Sequence, residues 1–383
     1  MTNSENFKQM VDHIFGKDVV DVKLCDANNN VIGGLNSPDN FENFKVNFEK
    51  RLVSLKQKYE KTSEYKKILD QIALIADDRN WEGAYAELVA YDILNLDDNI
   101  SIEIDKTLPA TESYAAEMGN EETNEDGYIS CFDSYFDVKI LSDTVKTLLN
   151  SIIQDAKNKV GLGKDCHIQP QYNIDDDNQD YQTNRRQLVD ELADALSNLP
   201  KDAKQIVTSN IISGLSYKIQ WGAGIITTES SYEPYRNAKN WHNFIFKRYT
   251  KKIMKNNRFY LVFVNFPWYN NLVNDVFGYN EIFYRALSRR VFMQNRHTGM
   301  LMNTIVPQYQ GKETVYEVSQ RITGLIFIDD FSIDKEGRYA AYIYLNPNAV
   351  NKFIHMEYYY LLNIANYGTK NKGIVDNFEY DNY

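Results

Sequence analysis

Residues 258–270, RFYLVFVNFPWYN, form an almost unbroken apolar run. A strand of this composition has to be covered on both faces, because a strand with one solvated face alternates apolar with polar residues. Just upstream, residues 236–256 read as a basic helix, and a helix leading into a doubly buried strand is the mark of an α/β unit. The chain is therefore expected to build a mixed central sheet flanked by helices.

The flanking segments fit this expectation. Residues 18–35, DVVDVKLCDANNNVIGGL, read as two alternating runs around an Asn-rich turn, a small β-hairpin. From residue 40 to residue 78 the apolar positions recur at helical spacing, with Ser63 as the N-cap between two helices. NWEGAYAELVAYDILN (80–95) reads as an amphipathic helix, ISIEID (100–105) as a strand, and DGYISCFDSYFDVKIL (126–141) as a hairpin. Two helices follow, over 142–160 and 184–200, separated by a polar segment without apolar period (165–182) that reads as a loop. Residues 215–231 read as extended, 280–295 as a helix, and 322–331 with 337–349 as an antiparallel pair of strands. Pro347 is placed at a first helical position, and a terminal helix and a Tyr-rich tail close the chain. The expected organisation is an N-terminal hairpin and helical region over 1–78, then a domain over 79–383 with an insertion at about 142–232.

Composition narrows the functional classes. Hydrophobic residues make up 43% and charged residues 25%, values of a folded globular chain. The 3 cysteines show no paired spacing, which argues against a disulfide framework or zinc site and fits a reducing, cytoplasmic setting. No stretch approaches a membrane span and no signal peptide is legible. The histidines show no HxH or HExxH spacing, and no phosphate-binding glycine loop is present. Charge is segregated: net −11 overall, yet 8 Lys/Arg and no acid between Arg236 and Arg258. Between Pro109 and Asp137 the reverse holds, with acids and no base.

Inside the expected hairpin, YFDVKIL (135–141) places Asp137 and Lys139 on one side of a strand, where either charge is costly to bury without a partner. The triplet acid-x-Lys occurs 5 times in the chain, and only those at Asp21 and Asp137 fall in strand-like runs. Asp137 also has an upstream acid, Asp126, and before that a helix carrying Glu87 on an apolar background. Hairpin register decides whether the acids meet. A two-residue loop at Asp133-Ser134 would leave Asp126 roughly 13 Å from the level of Asp137. A four-residue loop from Cys131 to Ser134 sets Asp126 opposite Lys139, diagonal to Asp137 at roughly 7–8 Å. Asp133 is a rival for the first acid. Converging carboxylates suit one or two Mg²⁺ ions, with Mn²⁺ as a substitute, and a neighbouring lysine can position a water or neutralise charge on a phosphate.

Glu87, Asp126 and the Asp137-Val138-Lys139 triplet, followed by a basic helix and a buried strand, resemble the PD-(D/E)xK nuclease superfamily, the restriction-endonuclease-like fold. The resemblance covers mainly residues 80–141. It implies a Mg²⁺-dependent endonuclease that hydrolyses phosphodiester bonds in DNA, with a role in restriction or anti-phage defence. Asp126 and Asp137 would bind metal, Glu87 would support them, and Lys139 would assist the water. The chain departs from the pattern at Glu125, where proline is usual, and in the length of the segment after Lys139. Tyr235, Arg236, Lys239, Lys247 and Lys251, interleaved with Trp241, Phe244, Phe246 and Tyr249, are the expected nucleic-acid contacts. RNA as substrate, a non-catalytic binding or assembly protein of the same fold, and a homodimer or partner protein that helps an acidic chain engage its substrate are the alternatives kept open.

Overall fold

The computed structural model describes the chain apart from residues 1, 28, 98–99, 110–121, 142–143, 163–165, 173–177, 201–203, 222–233, 249–256, 267–277, 295–313, 338, 369–373, 380 and 382–383. The described residues fall into two units, one of residues 1–141 with 241–383 and one of residues 142–240.

The first unit is built on a seven-stranded mixed sheet. Its strands are β1 (Ile102–Pro109), β2 (Glu122–Ile129), β3 (Ser134–Ile140), β7 (Arg258–Asn265), β8 (Gly324–Asp330), β9 (Tyr339–Leu345) and β10 (Ile374–Asp376), adjacent in that order. β1, β2 and β3 form an antiparallel meander, β3, β7 and β8 run parallel, β9 is antiparallel to β8, and β10 is parallel to β9. The apolar run at 258–266 supplies β7, with Phe259 to Asn265 buried, and β8 and β9 are buried along their whole length. Three inner strands without a solvated face account for the unalternating sequence there.

Helix α5 (Trp81–Leu94) lies against β3 and β7. The sequence reads as amphipathic, but the helix is buried nearly all round, from Trp81 and Tyr85 on one side to Tyr91 and Leu94 on the other. The reason is a second layer: α3 (Pro38–Tyr59) and α4 (Tyr65–Leu74) cover the side of α5 turned away from the sheet. Phe44 and Phe48 set their rings 6.3 and 5.8 Å from that of Tyr85. Arg51 reaches the same place, donating to Tyr85 Oη at 3.0 Å and Ser332 Oγ at 3.0 Å and pairing with the buried carboxylate of Asp330 at 2.9 Å. Residues 1–78 therefore share one core with the sheet instead of standing apart from it.

The N-terminal hairpin expected over 18–35 is not formed. α1 (Glu5–Phe15) precedes this stretch and α2 (Asn30–Asn36) ends it, with no strand between them among the described residues. Asn29 accepts a hydrogen bond from the Ile32 N–H at 3.0 Å, and this cap converts the expected turn into a helix start. Ser63 does not cap α4 either; its hydroxyl donates to Glu64, the residue at the cap position. Pro347 sits in a turn, and the terminal helix begins later, as Glu357 accepts the Ile354 N–H at 3.1 Å.

The second unit has its own core. A three-stranded antiparallel sheet of β4 (Cys166–Gln171), β6 (Ser216–Trp221) and β5 (Gln205–Thr208) packs with α6 (Thr144–Lys159), α7 (Asn178–Thr183) and α8 (Arg185–Asn198) around Leu149, Ile152, Leu188, Leu192 and Tyr217. The segment read as a loop over 165–182 thus contains a strand and a short helix. Its polar residues alternate with Cys166 and Ile168, and Gln and His on the outer positions hide the period.

α9 (Pro234–Arg248) begins in the second unit, which ends at Asn240, and continues in the first, where α10 (Tyr279–Arg289) covers the sheet, the Tyr284 ring stacked 4.3 Å from Phe327 of β8. The short α11 (Val315–Ser319) then leads into β8, its start fixed by a capping box of Thr314 and Glu317.

Candidate functional site

β2 and β3 form the hairpin that carries two of the candidate acids. The loop has four residues, Ser130–Asp133, one position earlier than the sequence suggests, because Ile129 pairs with Ser134. Ser130–Phe132 form a single 3₁₀ turn and Asp133 takes a left-handed backbone, φ 50°, which reverses the chain there. Phe132 pins the turn, buried with its ring 5.2 Å from that of Tyr360. The shift changes which residues face each other. Carried one step beyond the last pair, Gly127 with Phe136, the register sets Asp126 beside Asp137 instead of diagonal to it. Asp133 stays exposed in the turn, where Tyr128 donates to it at 3.2 Å.

The ladder stops at Gly127 for a chemical reason. Asp126 Oδ2 accepts the Val138 N–H at 2.6 Å, so its carboxylate takes the place of a backbone partner at the point where the two strands separate. Gly127 is required next to it: a Cβ there would lie 2.0 Å from the ring of Phe136. That ring in turn packs 6.4 Å from Tyr91 of α5. Lys139 pairs with Asp137 at 2.5 Å and approaches Asp126 at 3.9 Å, and Asp137 is wholly buried. A single lysine thus offsets the charge of one of two carboxylates that lie within hydrogen-bonding reach of each other. Burial, and then the charge of Asp137, holds the Asp126 carboxyl well above the usual carboxylate range.

Glu87, from α5, faces the same group. Burial, followed by repulsion from Asp105, pushes its carboxyl up to about 7, while Lys139 acts in the opposite direction. Tyr91, one turn further along α5, has its hydroxyl 3.2 Å from Glu87 Oε2 and 3.0 Å from the Asp126 carbonyl oxygen. A phenol has one proton, so it can donate to only one of these acceptors at a time. With Glu87 protonated both contacts are satisfied, Glu87 donating to Tyr91 and Tyr91 to Asp126.

Two participants escape a reading of the sequence. Tyr91 has a legible signal, its i,i+4 spacing from Glu87 on one helix. Asp105 has none: it lies opposite Asp126 between the pairs Ile104 with Gly127 and Lys106 with Glu125, and its backbone is left-handed, φ 51°, in the middle of β1. A non-glycine residue in that conformation inside a strand is a local irregularity of the kind found at functional sites.

In donor type the group suits a hard cation, two carboxylates at one point with oxygen-rich surroundings. In number it is a two-carboxylate site. Among the described residues no three His, Cys, Asp or Glu side chains are grouped to hold a metal ion, so Glu87 does not close a ligand set with Asp126 and Asp137.

The expected nucleic-acid contacts separate. Tyr235, Arg236 and Lys239 are exposed on the first turns of α9, Tyr235 at 67%, and belong to the second unit. The side chain of Lys247 and the whole of Lys251 and Tyr249 lie outside the described residues. Trp241, Phe244 and Phe246 are not surface stacking platforms. Trp241 packs 5.0 Å from Phe244 and 5.9 Å from Phe263 of β7, and Phe246 is buried against His242. Trp241 attaches the helix to the sheet.

No protein-family model, curated protein or solved structure matches the chain. Among the described residues no helix is long and apolar enough to cross a membrane.

Proposed function

We propose that the chain is a metal-dependent nuclease with a restriction-endonuclease-like core, hydrolysing phosphodiester bonds in DNA. The observation that carries this reading is the meeting of Asp126, Asp137 and Lys139 where β2 and β3 separate, with Glu87 facing them from the helix packed on β3 and β7. Buried carboxylates set against each other are costly unless a cation is part of their working state. Asp126 and Asp137 would hold Mg²⁺ or Mn²⁺, which would polarise the phosphate and lower the pKa of the attacking water. Lys139, with three donors, would orient that water and offset charge on the phosphate. Glu87 would set the local field and take or release a proton near neutrality, and Tyr91 would hold it in place. Tyr235, Arg236 and Lys239 are the proposed phosphate contacts.

The competing reading is a binding protein of the same architecture without catalysis, and the two-carboxylate count is the observation that favours it. Plasmid DNA, single-stranded DNA and RNA incubated with Mg²⁺ or Mn²⁺ separate the two. The nuclease reading expects cleavage by the wild type and a fall of about a hundredfold or more in Asp137→Asn and Lys139→Met. A wild type that cuts none of these substrates, or variants that cut as well as it does, would defeat it.

A further inference from the structure

The terminal helix α12 (His355–Tyr367) turns one side to solvent, and that side carries no formal charge. Its exposed positions are His355, Met356, Tyr359, Asn363, Asn366 and Tyr367. The outer side of a surface helix normally carries charged residues, and this chain has 53 acidic and 42 basic residues to supply them. The helix does contain one carboxylate, Glu357, but spends it inward, buried and accepting from Ser134 Oγ at 2.5 Å. Exposure of large apolar side chains concentrates here. Met356 is 73% exposed, Tyr367 69% and Tyr359 54%, with Val350 and Ile354 open just before the helix. Tyr and Met are enriched, and charges depleted, at the centres of protein interfaces.

We infer that this face is a homodimer contact, made by two copies of α12 packing antiparallel about a two-fold axis. Two features select a second copy as the occupant. A chain of net charge −11 opposes contact between the acidic surfaces of two copies, and an uncharged face escapes that cost. The stripe is also close to symmetric along the helix. Met356, Tyr359, Asn363 and Tyr367 lie within one narrow arc, and the reversal that sets Met356 level with Tyr367 of the second copy brings Tyr359 within one residue, about 1.5 Å, of the level of Asn363. The stripe is about 16 Å long. With Val350 and Ile354 at its end it belongs with small interfaces, for which association in the micromolar range is expected. The inference does not depend on the nuclease reading.

Sedimentation velocity of the full chain over about 1–100 μM tests it. The wild type is expected to pass from monomer to dimer over this range. Met356→Glu and Tyr367→Lys are each expected to raise the dimer dissociation constant at least tenfold, with thermal midpoints unchanged at concentrations where the wild type is monomeric, because both positions are exposed in the single chain. The double variant M356E/Y367K is expected to regain dimerisation, since each glutamate then meets the other copy's lysine. A wild type that remains monomeric throughout would overturn the inference and give the face to a different protein. A wild-type dimer indifferent to both single substitutions would overturn it too, by moving the contact elsewhere, and failure of the double variant to recover would overturn the antiparallel register.

Discussion

The Glu87 carboxyl provides a test of the site that needs no substrate. Its folded-state pKa of about 7 stands above the ordinary value of 4.5. The folded protein therefore holds a proton on Glu87 that the unfolded chain has released. Stability linked to this group is fully present below about pH 4.5 and is lost as pH rises through about 7. Each pH unit separating the folded and unfolded values corresponds to about 1.4 kcal/mol, so the full penalty is about 3–4 kcal/mol, of which about 2 kcal/mol develops between about pH 5 and pH 7.5. Glu87→Gln keeps the shape and an acceptor for Tyr91, and removes the titration. Urea unfolding of both proteins in EDTA at these two pH values is expected to show the variant gaining about 2 kcal/mol on the wild type as pH rises. Constant offsets from the new amide cancel in that comparison. A difference that does not change with pH, or that moves against the variant, would refute the claim that burial and the charges of Asp105 and Asp137 outweigh Tyr91 and Lys139 at Glu87.

Three further outcomes are expected. Tyr91→Phe keeps the ring on Phe136 and deletes the hydroxyl between Glu87 and Asp126; it should cost about 1 kcal/mol in denaturant. If the chain is a nuclease, the same variant should raise the Mg²⁺ concentration for half-maximal cleavage by about tenfold, and an unchanged requirement would remove Tyr91 from the site. Arg51→Met strands the buried Asp330 carboxylate and should cost about 3–5 kcal/mol, much of it recovered in R51M/D330L; a single-variant loss below about 1 kcal/mol in urea would show that the pair is not the lock between α3 and β8.

The strands most legible in the sequence are those whose residues decide alone. The run at 258–266 could only be a doubly covered strand, and Asp137 and Lys139 could only share a side of theirs. What escaped depended on single contacts made at a distance. One Asn29 side chain turned an apparent hairpin into a helix start, and one left-handed residue, Asp133, moved the hairpin loop by a position and brought Asp126 level with Asp137. The aromatics of α9 look alike in sequence whether they stack on a base or on a strand, and only Phe263 shows which. Asp105 was invisible because nothing in ISIEID announces a reversed backbone.

β3 and β7 pair along their whole length, yet the chain makes all of residues 141–257 between them. During synthesis the β1–β2–β3 meander therefore waits with one edge of β3 unsatisfied until the intervening unit has emerged. Residues 142–240 have their own core, and compaction of that segment shortens the effective loop whose closure entropy delays the seam. The inserted unit thereby becomes part of how the parent sheet is assembled, and a lesion that keeps it unfolded would be felt first as slow closure around Asp137.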